Sequence, residues 1–381
     1  MGNSIQYISN GASIVADDKI WVEDLAIQQL SKTLELPNLK AAVGMPDLHP
    51  GKGYPIGAAF LSQTWLYPAL IGNDIGCGMA LFTTSLATHK VKLDKLEKRL
   101  GNIDGAPQEY PLWVQEQLHQ YDLIDIARQF SLGTIGGGNH FAELQVTDKI
   151  YSQSLFADAH LDKKQLNLLV HSGSRGFGEQ ILAEHLKLYS HQGIEANSDA
   201  GQHYLCQHNR ALKFAQLNRQ LIAMRISSAL SCEMSLRLDV HHNLVEPYTH
   251  LGSGWIHRKG ATPADKDFVI IPGSRGDYSY LVKPKVSDKS LCSLAHGAGR
   301  KWNRKSAKAR LESNYSFEKL QKTQFGSRVI CADRQLIYEE APQAYKPIQP
   351  IIQLMQEADL IELVARFKPV LTYKTAGKHR C

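Results

Sequence analysis

Long apolar runs are missing from these 381 residues, and a membrane-spanning helix needs about 20 such residues in a row. The opening MGNSIQYISNGASIVADDKI has neither the basic start nor the apolar stretch of a secretory signal, so a cytoplasmic location and no membrane partner are expected. Cysteine is sparse: the six at 77, 206, 232, 292, 331 and 381 form no CxxC pair and resemble neither a disulfide framework nor a zinc ribbon. No HExxH is present, which removes the simplest zinc-peptidase reading. The glycine run GTIGGG, 133–138, lacks the Lys-Ser/Thr ending of a P-loop and opens no helix followed by an acidic ribose reader. Charge of one sign is not in large excess either. Forty-three basic against thirty-seven acidic side chains give +6, which permits a nucleic-acid partner without indicating one. Tandem repeats and Pro/Ser-rich linkers are also absent, so a single domain over 1–381 is expected.

What is present is a compact chain, 43% hydrophobic and 21% charged, long enough to bury a large core. Residues 14–45 read as a short strand, a helix near 22–34 and a strand around KAAVGM. MALFTTSL, NHFAELQV, LRLDVHHNLVE, WIHRKGAT and DFVIIPGSRGDYSYLV read as sheet segments, and QLNLLVHSGSRGFGEQI as strand, turn and helix start. The segment 91–130 reads as charged, helical surface. A long helix is expected over 201–229, with Tyr204, Leu205, Leu212, Ala215, Ile222 and Ile226 on its buried stripe. This order predicts an α+β fold of mixed and antiparallel sheets with packed helices rather than repeated βαβ units.

Polar candidates recur beside glycines at the ends of strand-like pieces. They are Asp47 and His49 in MPDLHPGKG, Asp74 and Cys77 in NDIGCGM, Asn139, His140 and Glu143, His171, His241 and His242, and His296 in AHGAGR. Strand ends held by tight turns converge from distant parts of a chain, and glycines let a phosphate approach backbone N–H groups. NDIGCGM is open to three readings: a metal site, a reactive cysteine or a buried turn. Asp, Cys and several His suit a divalent transition metal, zinc on softness alone, and spacing does not count the ions. The two Gly-Ser-Arg pieces, at 173–175 and 273–275, suit an oxyanion or a local carboxylate. His203 and Cys206 share a face of the expected long helix while His208 points elsewhere, a poor ligand set. GRKWNRKSAKAR, 299–310, reads either as a solvated charge run or as a contact for a phosphodiester backbone.

Taken in order, MPDLHPGKGYPIG, GNDIGCGM, GGGNHFAEL, HSGSRGFG, FAQLNRQLI, DVHHN, HRKGAT, PGSRGDYSY, HGAGR and AYKPI resemble the RtcB family of GTP-dependent RNA ligases, from about residue 43 to Lys374. The resemblance implies two manganese ions bridged by Cys77, with Asp74 and His140 on one and His171 and His242 on the other. It implies that His296 attacks the α-phosphate of GTP to give a histidine-guanylate. Asn139, Glu143, Ser274, Ser279, Gly299, Tyr345 and Lys374 match the family positions around the guanine nucleotide. The implied reaction joins an RNA 3′-phosphate, or a 2′,3′-cyclic phosphate after opening, to a 5′-hydroxyl. HPGKG, Arg275, LAHGAGR and the ending LTYKTAGKHRC depart from the commonest family wording. These departures resemble a divergent bacterial subgroup associated with a release-factor-like protein, with RNA repair on tRNA or ribosomal RNA as its expected work. The competing reading is a metal-dependent RNA phosphoesterase or cyclic-phosphate hydrolase that does not ligate.

Overall fold

The computed structural model describes residues 4–9, 11–250 and 253–377, so 378–381, with Cys381 and the end of the divergent tail, lie outside the described residues. Two sheets carry the architecture. A six-stranded sheet runs in the order Ile5–Ser9, Ala12–Val15, Leu39–His49, Ile56–Ser62, Gly254–Lys259, Asn243–Tyr248. An eight-stranded sheet runs Met234–His241, Gly78–Ala87, Gln165–Ser172, Phe141–Ile150, Ile361–Thr375, Ser279–Pro284, Val269–Pro272, with Arg328–Cys331 as a branch on Ile361–Thr375. Among the described residues only Ala12–Val15 with Leu39–His49 and the Arg328–Cys331 branch pair in parallel. The expected mixed, largely antiparallel α+β architecture is the observed one.

The long helix spans Asp199–Leu230. Ser198 caps its start by accepting from the Gly201 N–H at 3.1 Å, and Ser231 ends it in the left-handed conformation, φ 52°. Tyr204, Ala215, Ile222 and Ile226 are buried, and Leu205 and Leu212 pack half-buried against the core, as the helical spacing predicts. His208, Asn218 and Arg219 are fully buried on the same helix, which the apolar pattern alone does not reveal.

The segment 91–130 departs from expectation in part. It is three short helices, Leu93–Leu100, Leu112–Gln120 and Ile124–Gln129, and each of the first two buries leucine or valine: Leu96 and Leu100, Val114 and Leu118. The largest surprise is the strand Ile361–Thr375, the longest described, which sits centrally in the large sheet and ends beside the candidate site. Pro369 hides it in the sequence, because proline removes a ladder donor; here the register against Phe141–Ile150 shifts between Pro369 and Leu371, and this irregularity accommodates the proline. No helix among the described residues is long and apolar enough to cross a membrane.

Candidate metal and nucleotide site

The turn before Gly78–Ala87 is built for close approach. The Cys77 N–H donates to the Asp74 carbonyl at 3.0 Å, and Gly76 takes φ +78°. A Cβ on Gly76 would stand 2.9 Å from Ala215 Cβ, and one on Gly78 would stand 2.4 Å from the Val240 carbonyl oxygen. Glycine is required on both sides of Cys77 because the turn is wedged between the long helix and a neighbouring strand. Arg219 locks it there. Its guanidinium, inside the protein, donates to the carbonyls of Gly76 at 2.9 Å and Ser172 at 2.8 Å, and to Asp239 Oδ1 at 2.8 Å. Asn218, one residue earlier, ties the Gly133–Thr134 backbone to Gly173.

These restraints bring residues 63 and 94 positions apart onto one thiol. Cys77 Sγ lies 3.3 Å from His140 Nε2 and 3.1 Å from His171 Nε2, while Asp74 Oδ2 lies 2.9 Å from His140 Nε2. His171 Nδ1 faces the Asn139 carbonyl at 3.2 Å; a carbonyl only accepts, so Nδ1 carries the proton and the Nε2 lone pair faces the thiol. Burial drives the His171 and His242 pKa values well below the usual imidazole range, aided by neighbouring histidines, so both rings are neutral. Burial and the Asp74 charge push the Cys77 thiol up. Burial also pushes Asp74 up, but His140, the hydrogen bonds from His140 and Cys77, and Arg175 outweigh it and leave its pKa lowered. The buried His140 Nδ1 has no partner among the described residues. The ligand atoms of Cys77, His140 and His171 all lie within 4.8 Å of one another, a donor set with the capacity to bind a metal.

The His242 ring is 5.2 Å from that of His171 and 4.8 Å from that of His296, centroid to centroid, so it connects the thiol cluster to His296. His296 Nδ1 stands 2.6 Å from Asp47 Oδ2, a contact whose angle falls short of a hydrogen bond, and the His296 N–H donates to the same oxygen at 3.3 Å. Asp47 is fully buried. His49 also borders the cavity, its Nδ1 2.8 Å from the Asp47 carbonyl; burial lowers its pKa to about 4. His241 also belongs to the frame, with Nδ1 2.9 Å from the Gly76 carbonyl.

A cavity of about 1060 Å³ collects nearly every candidate: Asp74, Cys77, His140, His171, His242 and His296, with Asn139, Glu143, Ser274, Gly299, Tyr345 and Lys374. Ser279 does not reach it. Its hydroxyl instead accepts from Gln145, which also donates to Glu143 at 2.8 Å. Burial raises Glu143 to about 7, partly offset by hydrogen bonds from Thr372 and Gln145. Burial lowers Lys374 to about 8, and its ammonium donates to the His140 carbonyl at 3.0 Å. Gly299, φ +69°, lies against the Asp47 backbone, where a Cβ would come 2.3 Å from the carbonyl oxygen. Glu340, buried beside Tyr345, receives Arg300 at 3.1 Å and Arg304 at 3.2 Å.

The two Gly-Ser-Arg pieces separate in role. Arg175 faces the cavity, bonded through Nε to Thr134 Oγ1 at 3.0 Å. Arg275 also borders the cavity but spends its guanidinium on the Glu340, Leu320 and Ile337 carbonyls, closing the end of helix Arg334–Glu339. His203 and Cys206 are exposed, and His208 is buried as an acceptor for the Val245 N–H, so these three form no cluster. In the 299–310 run Arg300 folds inward to Glu340, while Lys301, Arg304, Lys305 and Arg310 stay exposed. Sequence reasoning singled out Asp47 without pairing it to His296, and it overlooked Arg219 and Glu340. Arg219 and Asn218 had a visible signal, since both fall on the apolar stripe between Ala215 and Ile222.

The profile of the family described as tRNA-splicing ligase RtcB matches residues 29–122 and 115–375. The chain is 53% identical over 379 residues to the RNA-splicing ligase RtcB2 of Escherichia coli, covering 99% of each protein. It is 30% identical to the tRNA-splicing ligase RtcB of Nanoarchaeum equitans, covering 95% of this chain and 94% of that one, and 28% identical to that of Thermococcus kodakarensis, covering 94% and 93%.

Proposed function

The chain belongs to the RtcB family of RNA ligases and is an enzyme, and from that premise we propose that it joins RNA 3′-phosphate or 2′,3′-cyclic phosphate ends to 5′-hydroxyl ends at the expense of GTP. The observation that carries this reading is the placement of His296, backed by Asp47, beside His242 and the Cys77 cluster in the cavity that also holds Glu143 and Lys374. A hydrolase needs neither a buttressed second histidine nor a nucleotide wall.

Asp74, Cys77, His140, His171 and His242 are the proposed ligands of two manganese ions, which when bound neutralise phosphate charge and polarise the reacting groups. His296 is the proposed nucleophile. With Asp47 on its Nδ1 side, the Nε2 lone pair is left for the α-phosphorus of GTP; a P–N bond forms as the bond to pyrophosphate breaks. An oxygen of the RNA 3′-phosphate then takes the guanylate from His296. The 5′-hydroxyl oxygen attacks the activated RNA phosphorus, and GMP departs. Activation is needed because a bare phosphate is a poor electrophile, whereas GMP is a stabilised leaving group. Asn139, Ser274, Gly299, Tyr345 and Lys374 are the proposed nucleotide contacts; Ser279 would act through Gln145 and Glu143 rather than by touch. We further read 1–381 as one catalytic domain, working in the cytoplasm, where reducing conditions keep Cys77 a free thiol. Its RNA is read as a cleaved tRNA or ribosomal RNA; similarity to tRNA-splicing ligases supports the first, and the resemblance to the divergent bacterial subgroup the second.

Incubation of 3′-phosphate and 5′-hydroxyl RNAs is expected to give joined product only with GTP and manganese together. Phosphate loss or ring opening without GTP, and no joined product, would establish the hydrolase instead. Glu143 supplies a pH test. A carboxylate with pKa about 7 accepts from guanine N–H groups above that pH and loses the ability as it is protonated. The KM for GTP should therefore rise as pH falls from 8 to 6. Glu143→Gln should raise it about tenfold at pH 8, by loss of charged hydrogen bonds, and flatten the pH dependence.

A further inference from the structure

One part of the cavity wall has no role in the chemistry above. Tyr54, half-buried after the Leu39–His49 strand, has its ring 5.9 Å from that of His191, tilted by 55°, and 5.8 Å from Lys259 Nζ. The same nitrogen lies 3.4 Å from the Tyr54 carbonyl oxygen. Leu182 and Leu186, four residues apart on helix Phe177–Tyr189, line the same cavity and are half-buried. Different elements build this part: Tyr54 precedes the Ile56–Ser62 strand and Lys259 ends the Gly254–Lys259 strand of the six-stranded sheet, whereas Glu143 and Lys374 belong to the eight-stranded one.

Lys259 is a half-buried cation in the cavity wall. Arg300 and Arg304 meet Glu340, yet among the described residues no carboxylate lies within ion-pair distance of Lys259. Its stem runs over Gly72, where a Cβ would stand 3.3 Å from Lys259 Cε. The next residue, Gly260, packs under His296, where a Cβ would stand 2.9 Å from the ring carbon Cε1. A cation withdrawn from water without a counter-charge favours an anionic ligand. A tyrosine ring and two leucines lining one cavity favour a flat, apolar group. A nucleotide is both.

We propose that this part of the cavity is the subsite for the terminal nucleotide of an RNA strand, its base lying on Tyr54 against Leu182 and Leu186 and its phosphate meeting Lys259. The inference rests on the ligase reading. Two strands present this chemistry, the one ending in 3′-phosphate and the one beginning with 5′-hydroxyl, and the test separates them.

RNA pairs in which one or the other terminal nucleotide is abasic are joined by the unsubstituted protein, Tyr54→Ala and Tyr54→Phe. For the strand that occupies the subsite, loss of the base is expected to raise KM about tenfold in the unsubstituted protein, the usual scale for one stacked base. Tyr54→Ala raises KM for the intact strand by a similar factor and is indifferent to the base, while Tyr54→Phe restores discrimination. Lys259→Gln raises KM for the same strand and weakens its salt dependence. If Tyr54→Ala loses fold, judged by thermal melting, Leu186→Ala makes the same measurement. Base removal and substitution acting independently on both strands would overturn the subsite. Guanylation of the unsubstituted protein by GTP alone is measured beside it: its failure removes the ligase reading, whereas its success without base coupling removes only the subsite.

Discussion

His296→Ala incubated with manganese and α-labelled GTP retains no label on the protein, and joining of 3′-phosphate RNA falls by at least about a thousandfold, the scale of losing a covalent nucleophile. Of the histidines lining the cavity, His296 alone has a buried carboxylate on its Nδ1 side, whereas the Nε2 atoms of His140 and His171 converge on Cys77. RNA guanylated beforehand by other means should still be joined by His296→Ala, because the last displacement does not use that imidazole. Asp47 is a positioning residue and behaves differently. Asp47→Asn keeps the shape but not the charge that fixes the ring and steadies it as it becomes cationic, so the guanylation rate should fall about a hundredfold. The KM for GTP should stay within about twofold, since Asp47 is fully buried and does not line the cavity. Label persisting on His296→Ala would sink the nucleophile assignment; an equal rise in KM with Asp47→Asn would sink the positioning role.

How much of this site the sequence discloses depends on the distance over which its restraints act. The Gly-Cys-Gly turn is legible locally, because two glycines flanking a thiol announce close backbone approach, and Gly76 and Gly78 indeed have no room for a side chain. That His140 and His171 reach the same sulfur is not a matter of spacing. It follows from Phe141–Ile150 and Gln165–Ser172 pairing antiparallel, with Gln165–Ser172 also paired to Gly78–Ala87, and only an ordered set of motifs hints at such pairing. Asp47 and His296 lie 249 positions apart, so neither periodicity nor a local motif connects them. Lys374 is legible through the family resemblance, whereas the strand that delivers it is hidden because Pro369 interrupts the pattern. The 91–130 segment misled in the opposite sense: its charge marks the exposed faces, while Leu96, Val114 and Leu118 fill core positions between them.

Replacing Arg219 by leucine tests whether the metal site is held from behind. The substitution leaves Asp239, 6% exposed and already raised in pKa by burial, without its cation, and takes the guanidinium donor from the Ser172 carbonyl and from the Gly76 carbonyl, which keeps only His241 Nδ1 beside it. Breaking one partner of a buried ion pair costs about 3–5 kcal/mol, which urea unfolding should report directly. Asp239→Leu added to Arg219→Leu removes the stranded charge, so the double variant should regain much of that loss. Manganese affinity should not follow stability. Both variants lack the guanidinium that ties Gly76, next to Cys77, to Ser172, next to His171, and both should bind manganese roughly tenfold more weakly, the lower range for losing a group that orients ligands. If the double variant recovers affinity together with stability, Arg219 merely neutralises Asp239. If stability returns while affinity does not, the buried arginine sets the geometry of the thiol and imidazoles, and the helix that carries it belongs to the site although none of its residues lines the cavity.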